Sequence, residues 1–567
     1  MTTDKKLPLY IYLILIVVTA LQITLFSYRY FNQKKMYYAD EYFTYGLANS
    51  ATQPFLYGSK LYTFDNYDVT LTGGEFRNYI STNEDTAFNY KTCWNNQVSD
   101  TLPPLYQLIV HTISSFNAGS FSWGWAFYIN LTAFVIAQFF LFRWIYTKIK
   151  SGWYALLICG FWGFTIGCQN AVMMARMYIV YLMFSLAFLY FSDQFFAKKD
   201  KVSIGALAGI IVSVTLGALT HHLFLVFAFF YTLIRCLVLL YKKQIKTMFT
   251  YGFSVLGGVL LSIAIFPATI SHLFGSNQVE WGIEPDIYMG TYSIWRILLG
   301  ETTGINFGVY PGIVEILLQF VVVFGVLIFA AFLWLNRKKE KEGRIIAKIK
   351  SVFLRVTGED GGSSLIAFVT VVVYFLFVAT QFNYYKCAEN SNKYVFNAMP
   401  VVIGCIAVGV FLLIKFYKDK KFMYITVASL LCLSVLLQNL TPINKHLIYS
   451  ESDYNSNGQI RDYVASGDVL LMLDSSVYLP CFCEELADTD QVYVTLYIED
   501  HFKVAEGMDE FFAGDGNKYL VIFNADQESS DSVFNYLSEK YGLKANMLTG
   551  EGINYMLAML YELKKEA

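Results

Sequence analysis

Asp40 and Glu41 are adjacent carboxylates in the stretch Met36-Tyr37-Tyr38-Ala39-Asp40-Glu41-Tyr42-Phe43-Thr44-Tyr45, shortly after an apolar run from Leu7 to Tyr28 that is long enough to cross a bilayer. A carboxylate in that place can take a proton from a hydroxyl, bind a metal, or stand as a solvated charge. Asp100 precedes Leu102-Pro103-Pro104-Leu105-Tyr106. Proline suits a first helical turn, so a helix is expected from Leu105 to Phe116, apolar enough to lie in a membrane interface. Asp100 then reads either as a charge on the dipole of that helix or as a second site carboxylate.

Cations and aromatic groups recur further along. Arg176, in Asn170-Ala171-Val172-Met173-Met174-Ala175-Arg176-Met177-Tyr178, lies a turn or so into an apolar segment. There it must face a partner, face an aqueous cavity, or snorkel to the surface. Thr220-His221-His222 occupies a tight turn between apolar runs. Adjacent side chains diverge, so one histidine can approach a phosphate or a sugar hydroxyl while the other packs. Lys393-Tyr394 leads into Asn397-Ala398-Met399-Pro400, where the lysine is a phosphate contact or an interfacial anchor. The segment 271–312 carries His272, Glu280, Glu284, Asp286 and Arg296 among Trp281, Tyr292 and Trp295, which suggests helices at the membrane surface.

The elements that must hold these groups follow from composition. Of the 567 residues, 56% are hydrophobic and 15% charged, against about 25% charged in a soluble domain. Eleven membrane spans are expected near 7–28, 123–146, 153–168, 171–192, 203–219, 223–240, 248–270, 313–335, 365–380, 398–416 and 422–440. A cleaved signal peptide is the alternative for the first, but its apolar run exceeds the usual length. The clusters Lys148/Lys150, Lys198/Lys199/Lys201, Lys242/Lys243/Lys246, Arg337 to Lys350 and Lys415 to Lys421 fall in every second loop, together with the N-terminus. The positive-inside rule puts them in the cytoplasm. Asp40, the segment 29–122, all six histidines and everything after about 440 are then expected on the outer side.

Residues 441–567 carry 8 Lys and Arg against 22 Asp and Glu, a balance of −14, while the rest of the chain balances at +12. Two domains are expected: a membrane domain over 1–440, and an acidic extracytoplasmic α/β domain over 441–567. The tail has strand candidates at Val469–Leu473, Val492–Leu496, Tyr519–Phe523 and Ile553–Leu560, and helical patterns near 456–465, 476–487 and 530–541. It has neither a dinucleotide fingerprint nor a phosphate-binding glycine loop. Asp488-Thr489-Asp490 matches the DxD of nucleotide-sugar enzymes, a weak signal in so acidic a segment. The nine cysteines form no disulfide or zinc pattern, although Cys93 and Cys387 share the outer side and could bridge.

Four marks in order resemble the GT-C superfamily of polytopic glycosyltransferases, and especially the bacterial relatives of protein O-mannosyltransferases and lipid A aminoarabinose transferases. They are Asp40-Glu41 after the first span, Asp100 with Pro103-Pro104-Leu105-Tyr106, Ala175-Arg176-Met177-Tyr178 at the mouth of a span, and Lys393-Tyr394 before Pro400. The similarity covers about residues 1–440. Leu102 and Lys393 depart from the basic residue and the arginine usual at those places. The resemblance implies an inverting transfer of a sugar from a polyprenyl-phosphate donor to an acceptor hydroxyl on the outer leaflet. Asp40 would be the general base, with Glu41 and Asp100 as further catalytic carboxylates. Arg176, Tyr178, His221, His222, Lys393, Tyr394, Tyr45 and Tyr106 would contact the donor phosphate or substrate. The acceptor, whether protein, lipid or envelope glycan, is left open, and a divalent cation is compatible but not required. Membrane lipid is a partner and nucleic acid is not. The other reading is a multi-pass transporter of a lipid-linked sugar, although hydropathy shows no inverted repeat.

Overall fold

Long apolar runs give the helices that their length dictates. The computed structural model describes residues 7–34, 36–51, 56, 68–197, 203–274, 287–303, 362–380, 393–414, 420–440, 459–465, 467–514, 516–553 and 556–565. In chain order its first helices are α1 (Leu9–Asn32), α2 (Ala39–Asn49), α3 (Gly73–Ile80), α4 (Tyr90–Ser99), α5 (Leu105–Phe116) and α6 (Gly124–Ile149). There follow α7 (Gly152–Phe164), α8 (Ile166–Met173), α9 (Tyr178–Ala197), α10 (Ile204–Thr220), α11 (His222–Tyr241), α12 (Ile245–Ile265), α13 (Thr269–Phe274) and α14 (Ile287–Thr303). The later ones are α15 (Gly362–Ala379), α16 (Met399–Ile414), α17 (Lys420–Leu440), α18 (Gln459–Val464), α19 (Met508–Ala513) and α20 (Gln527–Tyr541).

Six of these, α1, α6, α9, α11, α12 and α17, are long and apolar enough to cross a membrane. The bent pair α7–α8 makes a seventh, and α10, α15 and α16 are shorter apolar helices. The chain is a polytopic α-helical membrane protein. Each expected span has its counterpart here except 313–335, which lies outside the described residues. So do the clusters Lys198–Lys201 and Arg337–Lys350, and with them Glu280, Trp281, Glu284, Asp286, Cys387 and His446.

One stretch is partitioned differently from expectation. The run 153–168 breaks at Thr165, whose backbone is extended and whose Oγ1 donates to the Trp162 carbonyl at 2.6 Å. The chain turns by 62° into α8. The next span begins at Tyr178 rather than 171, so Arg176 lies in the irregular turn 174–177 and not inside a helix. A side chain that back-bonds its own carbonyls competes with the helical ladder, a signal that apolarity alone does not carry.

The chain divides into two compact units. The first holds Met1–Ser27, Leu131–Met173 and Met177–Ile448. Within it buried polar pairs stitch helices together. Gln22 and Gln138 bond each other at 2.9 Å and both reach the Cys159 carbonyl. Lys148, one of the loop cations of the sequence, is instead buried in an ion pair with Asp193.

The second unit joins Tyr28–Asn130 and Met174–Arg176 to Tyr449–Ala567. Its sheet has strands β1 (Asp68–Leu71), β2 (Asp468–Leu473), β3 (Gln491–Leu496), β4 (Lys518–Phe523), β5 (Leu543–Ile553) and β6 (Met556–Lys565) in the order β1-β3-β2-β4-β6-β5. β3, β2 and β4 are parallel, and the others are antiparallel to their neighbours. β2 is buried on both faces along almost its whole length, which is why it reads as an unbroken apolar run. Three tail strands fall where expected. The fourth candidate, 553–560, straddles the junction of β5 and β6. β1 was not anticipated, since four residues with one buried position carry no pattern.

Candidate active site

Helix α2 begins at Tyr38, whose extended backbone (φ −72°, ψ 155°) makes it the N-cap, with Asp40 and Glu41 in the first turn where the helix dipole favours anions. The two carboxylates diverge. Glu41 is fully buried, and its Oε2 accepts the Tyr38 N–H at 3.0 Å, the reach-back half of a capping box. Its Oε1 takes the Lys34 ammonium at 2.5 Å and the Ala175 N–H at 2.7 Å. Asp40 is half-buried, and its charge acts on the Cys481 thiol.

Arg176 comes to the same turn of α2 from 136 positions away. Its Nη1 donates to the Asp40 carbonyl at 3.0 Å and to Thr44 Oγ1 at 3.3 Å. Asn130 holds the arginine's turn from the other side, donating to the Met174 carbonyl at 2.5 Å and accepting the Tyr106 hydroxyl at 3.0 Å. Burial raises the Tyr106 phenol, and the nearby Arg176 charge acts in the opposite sense. Tyr45 is fully buried; its hydroxyl donates to the Ser122 carbonyl at 2.9 Å and accepts the Ala126 N–H at 3.1 Å. Asp40, Glu41, Tyr45, Tyr106 and Arg176 are therefore brought together in one unit.

Asp100 belongs to a different element from the one expected. It is the C-cap residue of α4, its N–H donating to the Asn96 carbonyl at 3.0 Å, and it does not cap α5, which Pro104 precedes. Helix α5 has the bounds read from the sequence, but its buried face carries Gln107, His111, Ser114 and Ser115. Asn49 of α2 donates to Ser114 Oγ at 3.1 Å, so α5 packs on the site helix.

The remaining sequence candidates lie in the first unit. His221 caps α11, its Nδ1 accepting the Leu223 N–H at 3.0 Å, which leaves the proton of a neutral ring on Nε2. Its ring lies against Tyr178 and Tyr181, at 5.6 and 5.5 Å between centroids. His222 turns away, its Nε2 3.4 Å from His272 Nδ1. Tyr181 bonds both Tyr374 and Asn397, and Tyr374 donates to the Tyr394 carbonyl at 3.2 Å. Lys393 sits over the Tyr394 ring. Glu301 of α14, which the sequence reading passed over, is buried and accepts the Asn170 amide at 2.9 Å.

Two groups beside Asp40 also escaped the sequence reading. Lys34 is buried between the Tyr37 ring, 4.2 Å from its Nζ, and Glu41. Burial pushes its ammonium below the ordinary lysine value, with Glu41 opposing. A lysine just past the expected outer end of a span, where positive charge is disfavoured, was the available signal. From the tail come Glu484 and Glu485, at the end of a 3-10 helix (Ser476–Phe482) whose Val477 packs with Ala39, Phe43 and Leu47 of α2. Glu484 accepts the Trp123 indole N–H at 2.6 Å. Desolvation pushes both carboxyls above the ordinary glutamate range, Glu485 the further, with the Glu484 charge adding to its shift.

A raised folded-state value means that the folded chain keeps protons which the unfolded chain releases. Stability is therefore expected to fall as pH rises through the ordinary glutamate range toward the raised values, by up to about 1.4 kcal/mol per pH unit for each retained proton. Thermal unfolding at pH 5 and 7.5 checks this. Glu485→Gln should flatten the dependence and raise the midpoint at pH 7.5.

Among the described residues no group of three or more His, Cys, Asp or Glu is placed to hold a metal ion. Asp488 of the DxD is engaged by Arg461 and Arg77, whose hydrogen bonds hold its carboxyl below the usual range. Cys93, Cys481 and Cys483 are buried thiols.

No family model matches the sequence, and no curated protein matches it. The chain is similar in structure to ArnT from Cupriavidus metallidurans in the apo state, with 9% identity and a TM-score of 0.46, over 96% of this chain and 97% of that one. For the same protein bound to undecaprenyl phosphate the identity is 9% and the TM-score 0.43, over 81% and 87%. For the Archaeoglobus fulgidus oligosaccharyltransferase complex with Zn and sulfate they are 12% and 0.46, over 90% and 67%. These likenesses extend to the course of the chain alone.

Proposed function

We propose that the chain is a membrane glycosyltransferase that moves a sugar from a polyprenyl-phosphate donor to an acceptor hydroxyl on the outer face of the membrane, with inversion. The observation that supports this reading is that Arg176 is bonded to the turn of α2 that bears the half-buried Asp40, through the Asp40 carbonyl and Thr44 Oγ1. Asp40 takes the hydroxyl proton as the oxygen attacks the anomeric carbon. The bond to the lipid phosphate breaks on the opposite side, and the charge left on the phosphate is met by Arg176. Glu41 is assigned to positioning: it fixes Lys34, the start of α2 and the turn that bears Arg176. The N-terminus and basic loops are proposed to be cytoplasmic, and the tail extracytoplasmic.

The test supplies purified protein with a labelled polyprenyl-phosphate sugar and follows release of polyprenyl phosphate. Arg176→Lys keeps the charge but loses the fork that spans two phosphate oxygens, so release should fall at least about tenfold. Absence of release by the wild type, with intact labelled lipid moved across vesicles, would favour the transporter reading. Normal kinetics in the lysine variant would return Arg176 to a purely structural role.

A further inference from the structure

The parallel strands of the tail contain a topological switch. From β2 the chain goes to β3 on one side and then returns to β4 on the other, so the connections leave the carboxyl ends of β2 and β4 in opposite directions. Open parallel sheets bind ligands in the crevice that this opens. Asp474 directly follows β2 and Asn524 directly follows β4, and the Asn524 amide donates to Asp474 Oδ2 at 2.7 Å. Asp474 Oδ1 is shut off from solvent without a hydrogen-bond partner, and so is the hydroxyl of Ser476, a residue only 7% exposed. Buried polar oxygens are normally satisfied, so two of them within three residues at a switch point call for a ligand that donates.

Two tyrosines flank the carboxylate. Tyr478 leans on Phe523, the last residue of β4, with centroids 5.2 Å apart. Tyr497, the residue after β3, donates to the Asn524 carbonyl at 3.0 Å. Both are half-buried, and the Asp474 charge helps raise both phenols, that of Tyr478 to about 12, after burial itself.

We propose that Asp474, Ser476, Asn524, Tyr478 and Tyr497 form a binding site for a neutral carbohydrate, and that it holds the acceptor glycan. Sugar hydroxyls are donors for the unmet oxygens, and the apolar C–H faces of a pyranose pack on aromatic rings. A cation would meet the Asn524 amide hydrogens beside Asp474. An anionic polymer would meet the tail's charge of −14. The word acceptor rests on the transferase reading; the sugar site does not. The residue after Ser476, Val477, packs on the helix that carries Asp40.

The experiment is saturation-transfer NMR on the full chain in nanodiscs, with the methyl glycosides of glucose, mannose, galactose and N-acetylglucosamine as probes. The wild type should give transfer to the C–H protons of at least one probe, and so should a control on the exposed end of β5, Lys544→Gln. Asp474→Asn should weaken that probe at least about tenfold, and Ser476→Ala a few-fold, with unfolding midpoints unchanged. No transfer to the wild type, or equal binding by Asp474→Asn, overturns the site. A thermal shift with calcium alone that disappears in Asp474→Asn overturns the sugar assignment. Donor hydrolysis is read separately. A wild type that releases no polyprenyl phosphate defeats the transferase reading while the glycoside result stands on its own.

Discussion

Asp40→Asn is expected to lower sugar transfer by a factor of about 10²–10⁴ while leaving the unfolding midpoint and donor binding close to those of the wild type. The amide keeps the size of the side chain and cannot accept the hydroxyl proton. The Asp40 carbonyl that receives Arg176 is untouched by the substitution. The variant therefore separates chemistry from structure. Turnover and melting should be measured together on the same preparation. A variant with a lowered midpoint, mimicked by chelators on the wild type, would assign Asp40 to a structural ion. Wild-type turnover would remove Asp40 from the mechanism.

Glu41→Gln should do the opposite, with its main effect on stability. Both members of the Lys34–Glu41 pair are fully buried. Removing the carboxylate charge leaves an ammonium in an apolar site, at a cost of about 3–5 kcal/mol. Chemical denaturation reads this directly. Lys34→Met in the same chain should restore most of the loss, because the introduced amide still offers an oxygen to the Tyr38 or Ala175 N–H and no charge is stranded. At temperatures where the single variant stays folded, transfer should fall less than in Asp40→Asn. If the double variant is no more stable than the single one, the loss belongs to the capping and turn bonds rather than to the stranded charge.

The span plan was legible because membrane helices announce themselves by length and apolarity, and α5 because two prolines mark its start. The Thr165 break was hidden, since it comes from a hydroxyl bonding its own helix. The grouping of Asp40 with Arg176 was readable only as ordered marks, because nothing local to either residue encodes a contact across 136 positions. The opposite fates of Asp40 and Glu41 follow from the divergence of consecutive side chains on a helix, but which of the two would be buried depended on Lys34, a residue unremarkable by type. Glu484 and Glu485 looked like two more charges in an acidic tail. Their burial depends on Trp123 and on the packing of Val477 against α2.

The antiparallel pairing of β1 with β3 has a consequence for biosynthesis. Asp68 bonds the Tyr493 hydroxyl, 425 positions away, so the sheet cannot close until more than 400 further residues have been made. At translation rates of about 5–20 residues per second, the early strand waits roughly 20–85 s for its partner while the intervening helices enter the membrane. Throughout that interval a short edge with unpaired amides stands open. The cell must keep that segment from pairing elsewhere, and a stalled or truncated nascent chain carries the edge with no strand to cover it.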